Sequence, residues 1–407
     1  MRLVYKFKYH GSRKQDIMDL CIISKNLYNQ ALYEIKQNLR LSDKFLFYND
    51  LNKIMQLREN LEGNVNYRML KAQVSQQCLR ILDKNISSYI KSVKDWSKNK
   101  EKYKGMPKMS SYKKKYNSIT YTNQCSKISD GYLNLSKTLR IKIPQYEKYS
   151  EKLKNYKQCR IIPSSCGITI EIIYDDNSKI NCMLDKNKYA SVDLGVDNLA
   201  TVIFDRGETA IYSGKILKSV NQYANKTIAK YKSELEIKNK RKSSKKIIEL
   251  WEKRNNRIND MFHKISREIV NKTIENHIGT IIVGYNKGWK DSIRIGKRNN
   301  QIFVGIPFYD LISKLSYKCK KCGIKLITNE ESYTSKCDAL AMEPIGRHDS
   351  YSGKRIKRGL YQSSVGKTIN ADVNGALNIM RKVIGDSYPN EIIDSGRLFR
   401  PIKYNIL

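Results

Sequence analysis

Three acidic positions, far apart in the sequence, are the residues best suited to chemistry in this chain. Asp193 stands in Val192-Asp-Leu-Gly-Val-Asp-Asn198, at the end of a short apolar run that reads as a strand entering a tight turn. A carboxylate there projects past the sheet edge, and the glycine lets other backbone approach it closely. Asp372 lies at the start of the amphipathic stretch 371–381, where capping a helix is the competing role. Glu330 and Glu331 follow the apolar run 323–328 and precede Tyr333-Thr-Ser-Lys336, where a solvated acidic pair is the competing role. Taken singly, each of these is more often structural. Jointly, three carboxylates at element ends inside one basic domain make a hard oxygen site for two Mg²⁺ ions, able to clamp the attacking water and the leaving oxygen of a phosphodiester.

The charge of the chain points to the same class of substrate. Of 407 residues, Lys and Arg number 77 against 39 Asp and Glu, a formal net charge of +38. That self-repulsion favours a polyanionic partner, nucleic acid first, which cancels it through phosphate contacts and counterion release. The basic runs Lys113-Lys-Lys-Tyr116, Lys238 to Lys246 and Lys354-Arg-Ile-Lys-Arg358 offer phosphate contacts, and the 28 tyrosines offer faces for base stacking. The last run lies between the Tyr-Thr-Ser segment and Asp372, the best placed to grip a substrate. No Walker-type phosphate loop and no His-Glu-x-x-His motif is present, so ATP is not expected as a partner. No apolar run is long enough for a membrane span, the N-terminus does not read as a secretory signal, and nine scattered cysteines suit a reducing compartment. A cytoplasmic location without disulfides is expected.

These residues need elements to position them. Residues 1–11 open with alternating apolar and basic residues, a strand. Residues 12–100 keep three- and four-residue apolar spacing, as in Ile17, Leu20, Ser24, Leu27, Ala31 and Ile35, and read as a helical module inserted after that strand. Residues 101–184 hold short alternating runs expected to form a small β-barrel or sheet with the first strand. Residues 185–382 read as an α/β domain with a mixed sheet: three meander strands, a basic helical insertion over about 219–277, then alternating strands and helices. Residues 383–407 are left as a C-terminal tail.

The stretches Val192 to Thr201, Gly214 to Tyr223, His263 to Val270, Glu331 to Lys336 and Asn370 to Ile379, in that order over about half the chain, resemble the motifs of the OrfB/TnpB family of insertion-sequence proteins, related to type V CRISPR effectors. The resemblance implies an RNase H-like, RuvC-type nuclease domain preceded by a wedge-like, oligonucleotide-binding β-barrel that a helical recognition lobe interrupts. It also implies an RNA-guided, Mg²⁺-dependent DNA endonuclease serving transposon maintenance, with a transposon-end guide RNA and target DNA as partners. Asp193 and Asp372 match the first and last catalytic carboxylates. The middle one departs from the common pattern: Gly284-Tyr-Asn286 stands where many members carry Glu after a strand, and Glu331 is chosen in its place over Glu330. The family's paired Cys-x-x-Cys knuckles are also missing. Cys319, Cys322, Cys337 and His348 are a conceivable zinc set, and zinc is not expected. Rival readings are a catalytically inactive guide-dependent DNA binder and a strand-transferring transposase.

Overall fold

The computed structural model describes residues 1–177, 182–240, 243–286, 288 and 296–405. They fall into two compact units, Met1–Asn177 and Ser178–Leu407.

In the first unit β1 (Arg2–Tyr9) leads into three helices, α1 (Lys14–Ser42), α2 (Tyr48–Met55) and α3 (Ala72–Lys98). Their buried faces follow the helical spacing of the sequence, with Ile17, Cys21, Ser24, Leu27, Tyr28, Ala31, Leu32 and Ile35 inward on α1 and Val74, Cys78, Leu82 and Ile86 inward on α3. Then come β2 (Ile119–Thr122), β3 (Lys127–Ser129), β4 (Tyr132–Asn134), β5 (Arg140–Lys142), α4 (Tyr146–Leu153), β6 (Tyr156–Ser164) and β7 (Gly167–Asp175). β1 pairs antiparallel with β7 across the helical insert, Arg2 opposite Asp175 and Tyr9 opposite Ile168. The strands form a four-stranded sheet, β1-β7-β6-β2, which includes the first strand, and a separate three-stranded meander, β3-β4-β5, where a small barrel or sheet was expected. β3, β4 and β5 are three residues each and pair only among themselves.

The second unit is built on a six-stranded sheet in the order β12-β11-β8-β9-β10-β16. β8 (Asp185–Asp193), β9 (Asn198–Ile203) and β10 (Thr209–Ser213) run as an antiparallel meander, while β11 (Ile278–Gly284) and β12 (Lys325–Asn329) lie parallel beside β8. The region expected as one basic helical insertion is two helices, α5 (Lys215–Asn239) and α6 (Lys245–Glu275), with Ser244 capping the second through the Ile247 amide. Beyond β11 come α7 (Lys297–Val304) and α8 (Phe308–Cys322), and beyond β12 the small sheet of β13 (Lys354–Lys357), β14 (Leu360–Gln362) and β15 (Thr368–Asn370). α9 (Ala371–Ile384) follows at once.

Alternation along the buried strands sends side chains to two cores. Ile281 and Val283 join Phe262, Ile265, Leu311 and Leu315 of α6 and α8, whereas Ile282 joins Ala376, Leu377 and Met380 of α9. The central sheet is thus covered on both faces by helices, the arrangement a parallel pairing requires. Residues 383–407 are more than a tail: α10 (Ser387–Asp394) buries Ile392 against the α9 core, and β16 (Ile402–Tyr404) adds a parallel edge strand to β10.

Candidate active site

Strand register brings the acidic positions together. β11 pairs Val283 with Val192, and β12 pairs Asn329 with Gly284, so Asp193, Gly284 and Asn329 stand level at the ends of three adjacent strands. Glu331 follows two residues beyond Asn329. α9 crosses the face of β8, β9 and β11 and carries Asp372 in its first turn. Two glycines make the approach possible. A Cβ on Gly284 would lie 2.6 Å from Glu331 Oε2, and one on Gly375 of α9 would lie 2.7 Å from Asp193 Oδ2. Both are far inside van der Waals contact, so each carboxylate occupies space that only glycine leaves open. Glu330 points away, exposed and hydrogen-bonded by the Ser332 hydroxyl. The glycine in the place of the expected strand-end glutamate is therefore the gap into which Glu331 reaches.

Electrostatics register the convergence. Asp193 is pushed well above the usual carboxylate range, by burial first and then by the charges of Glu331 and Asp372, with Arg355 acting against them. Burial also pushes Glu331 up to about 7, opposed by Lys382. Glu331 Oε2 is buried and has no hydrogen-bond partner. An orphaned carboxylate oxygen is costly unless a cation meets it. Asp372 is held differently. Asn370 caps α9 by accepting from the Asp372 and Val373 amides, which frees the Asp372 carboxylate from capping. Its Oδ2 accepts from Asn198 Nδ2 at 2.7 Å, and Arg355 stands 3.6 Å from Oδ1. Among the described residues no three His, Cys, Asp or Glu side chains are drawn up as a ready-made metal cage. Oxygen donors, an orphaned buried oxygen and glycine-lined space nevertheless fit hard divalent cations.

A second set of residues, not singled out in the sequence, holds Glu331 in place. On α9, Asn374 donates to the Cys337 carbonyl at 2.9 Å and accepts from the Ala339 amide. Asn378 donates to the carbonyls of Thr334 and Cys337, at 2.9 and 2.7 Å, and accepts from Arg381. Thr334 in turn donates its hydroxyl to the Glu331 carbonyl at 2.8 Å, and Asn286 accepts from the Glu331 amide. The readable signal is the spacing of Asn370, Asn374 and Asn378, a four-residue polar stripe on an otherwise apolar helix.

The possible zinc residues are not gathered. Cys319 and Cys322 lie in the core shared by α6 and α8, where burial pushes the Cys319 thiol up to about 12, while Cys337 donates to the Gly346 carbonyl and His348 contacts the Pro344 carbonyl. Of the basic runs, Lys113 to Lys115 are exposed and Lys354 to Arg358 form an exposed edge at β13, whereas Arg241 and Lys242, within the run 238–246, lie outside the described residues. Among the described residues no helix is long and apolar enough to cross a membrane.

Comparison with known proteins bears on the family and the fold. A family profile described as a probable transposase, OrfB_IS605, matches residues 176–290, and one for the Cas12f1-like TNB domain matches residues 308–379. The TnpB-like protein ORF457 of Acidianus two-tailed virus is 26% identical over 212 residues, 49% of this chain and 42% of that protein. The CRISPR-associated endodeoxyribonuclease Cas12f1 of Sulfoacidibacillus thermotolerans is 29% identical over 231 residues, 54% of this chain and 52% of that one. The chain thus matches about half the length of these curated relatives. Among solved structures, a Cas12f1-sgRNA-target DNA complex has a TM-score of 0.56 at 16% identity, covering 91% of this chain and 83% of that one. The mini RNA-guided endonuclease CRISPR-Cas phi3 has a TM-score of 0.51 at 10% identity, covering 94% and 92%. These likenesses show a shared mixed α/β fold. The ordered motifs, the two family profiles and the two relatives agree: over its second unit the chain is similar to the OrfB/TnpB family, related to the type V CRISPR effectors.

Proposed function

We propose that this protein is an RNA-guided, divalent-metal-dependent DNA endonuclease whose catalytic carboxylates are Asp193, Glu331 and Asp372. The observation that carries the reading is the meeting of three carboxylates, distant in sequence, at the ends of β8 and β12 and the start of α9, one with a buried oxygen that lacks any partner. The antiparallel meander continued by parallel strands, with α9 across it, supports an RNase H-like description of the second unit. The similar Cas12f1 structure, solved with sgRNA and target DNA, supports those partners here. The charge of +38 supports polyanionic partners in general.

Asp193, Glu331 and Asp372 would hold two Mg²⁺ ions. The ions would activate a water and neutralise the charge that develops on the pentavalent phosphorus. The chain's own part is to bring the carboxylates close without letting them pack shut. Gly284 and Gly375 keep the space open, Asn374 and Asn378 fix the Glu331 loop to the helix that bears Asp372, and Arg355 balances the charge of Asp372 until a stronger cation replaces it.

Asp193→Ala is expected to abolish Mg²⁺-dependent cutting of a guide-matched plasmid while guide RNA binding stays within about twofold. Cutting that survives this substitution would show the assignment to be wrong. The arginine on Asp372 favours one other reading, a guide-dependent DNA binder that does not cut. Occupancy of the plasmid without strand scission, over a full Mg²⁺ series, would decide for that reading.

A further inference from the structure

A cleft of about 260 Å³ in the second unit is lined by Val196, Lys218, Asn299, Ile302 and Arg358. Its two cations converge on one side chain: Lys218 bridges to Oδ1 of Asp197 and Arg358 to Oδ2. Asp197 lies in the turn between β8 and β9, four residues after Asp193, so the cleft borders the candidate active site. Arg358 sits in the turn after β13, and the same hairpin carries Arg355, which reaches Asp372. Each of these arginines thus rests on an acidic side chain at the rim of the carboxylate cluster.

Such pairs are easily exchanged. The side chains of Arg358 and Asp197 are 78% and 38% exposed, and ion pairs that open to water contribute little to stability. A phosphodiester can take the carboxylate's place, since two of its oxygens match the guanidinium fork as a carboxylate's do and both cations can share the same anion. A carboxylate that holds a lysine and an arginine together already occupies the position a phosphate would take.

We propose that Lys218 and Arg358 form a clamp for a phosphate of the nucleic-acid strand being cut, and that Asp197 is its placeholder, holding the two cations together while no strand is bound. The site is distinct from the carboxylates that would hold metal. It rests on the nuclease reading only for the identity of the strand, because binding can be measured without cutting.

The test uses the full-length protein with its copurified RNA, in EDTA, and fluorescent pentanucleotides dT5 and rU5 titrated over a salt series. Lys218→Ala and Arg358→Ala are each expected to weaken binding about tenfold and to lower the slope of log affinity against log salt by about 0.7, the contribution of one phosphate contact on a single strand. Asp197→Asn keeps the shape of the side chain, frees both cations and removes a charge that repels phosphate, so it is expected to tighten binding at least about threefold. Loss of dT5 binding, alone or together with rU5, supports a clamp on the strand being cut, and loss confined to rU5 would overturn it. Lys403→Ala, an exposed charge on β16, controls for bulk electrostatics. The proposal is overturned if Asp197→Asn weakens binding or leaves it unchanged, or if Lys403→Ala costs as much as Arg358→Ala. Melting temperatures within about 2 °C of the parent show that the variants fold. Continued cutting by Asp193→Ala would sink the nuclease reading without touching these affinities, so the two failures can be told apart.

Discussion

Burial of Glu331 has a thermodynamic consequence that can be measured without any substrate. Its folded pKa, pushed up to about 7, lies above the ordinary value of 4.5, so the folded chain keeps a proton that the unfolded chain releases. Stability is therefore fully present below about pH 4.5 and is lost as the pH rises through about 7. Asp193, shifted in the same direction, adds to the trend. In EDTA the unfolding free energy is expected to fall by up to about 3 kcal/mol between pH 5 and pH 8. Glu331→Gln should flatten that profile, and a profile equally steep in the variant would show that Glu331 is not its source. Gly284 tests the same pocket sterically. The methyl of Gly284→Ala would meet Glu331 Oε2 at 2.6 Å and Ile379 Cδ1 at 2.5 Å. Overpacking of this kind costs about 1–3 kcal/mol. Thermal melts should show that loss, and plasmid cutting should fall at least about tenfold as Glu331 is displaced. Asp193 and Asp372 were legible because carboxylates at element ends are conspicuous in a sequence. What Gly284 does was not, because an absent side chain has meaning only beside the group that fills its space.

At the scale of elements, α9 ties the site together. It bears Asp372, is capped by Asn370, and holds the 334–339 loop through Asn374 and Asn378. Asn378→Leu keeps the volume but leaves the Thr334 carbonyl and one Arg381 donor without their partner, and the Cys337 carbonyl with Asn374 alone. Buried polar groups left unpaired in this way cost about 2–5 kcal/mol together. The variant should melt lower and, in conditions where it stays folded, need more Mg²⁺ for half-maximal cutting, since the Glu331 loop is no longer tied to the helix of Asp372. An unchanged Mg²⁺ requirement in a folded variant would reduce Asn378 to a purely structural residue. Most helices and strands were readable from apolar spacing. The division between α5 and α6 was not, because the basic run between them has no apolar period to interrupt. β16 was missed for a related reason: three residues at a sheet edge gain their strand character from pairing with β10, not from their own pattern.

For the molecule as a whole, charge is the dominant quantity. An excess of 38 positive charges predicts association with nucleic acid that weakens steeply with salt. If about 6–10 phosphates are neutralised, affinity for guide RNA should drop by about 10³ to 10⁵ between 50 and 200 mM salt. A shallow dependence, measured by filter binding, would mean that the charge serves some other end. The sequence by itself pointed to a polyanionic partner, showed the helical and strand character of most segments, and marked the acidic residues to weigh, because charge, periodicity and residue type are local properties. Only the tertiary structure decided which of Glu330 and Glu331 turns toward Asp193, what the glycine at 284 makes room for, and which cations rest on Asp197 and Asp372. Those outcomes depend on strand register and on one helix crossing a sheet, which bring together residues separated along the chain, Asp193 and Glu331 by more than a hundred positions.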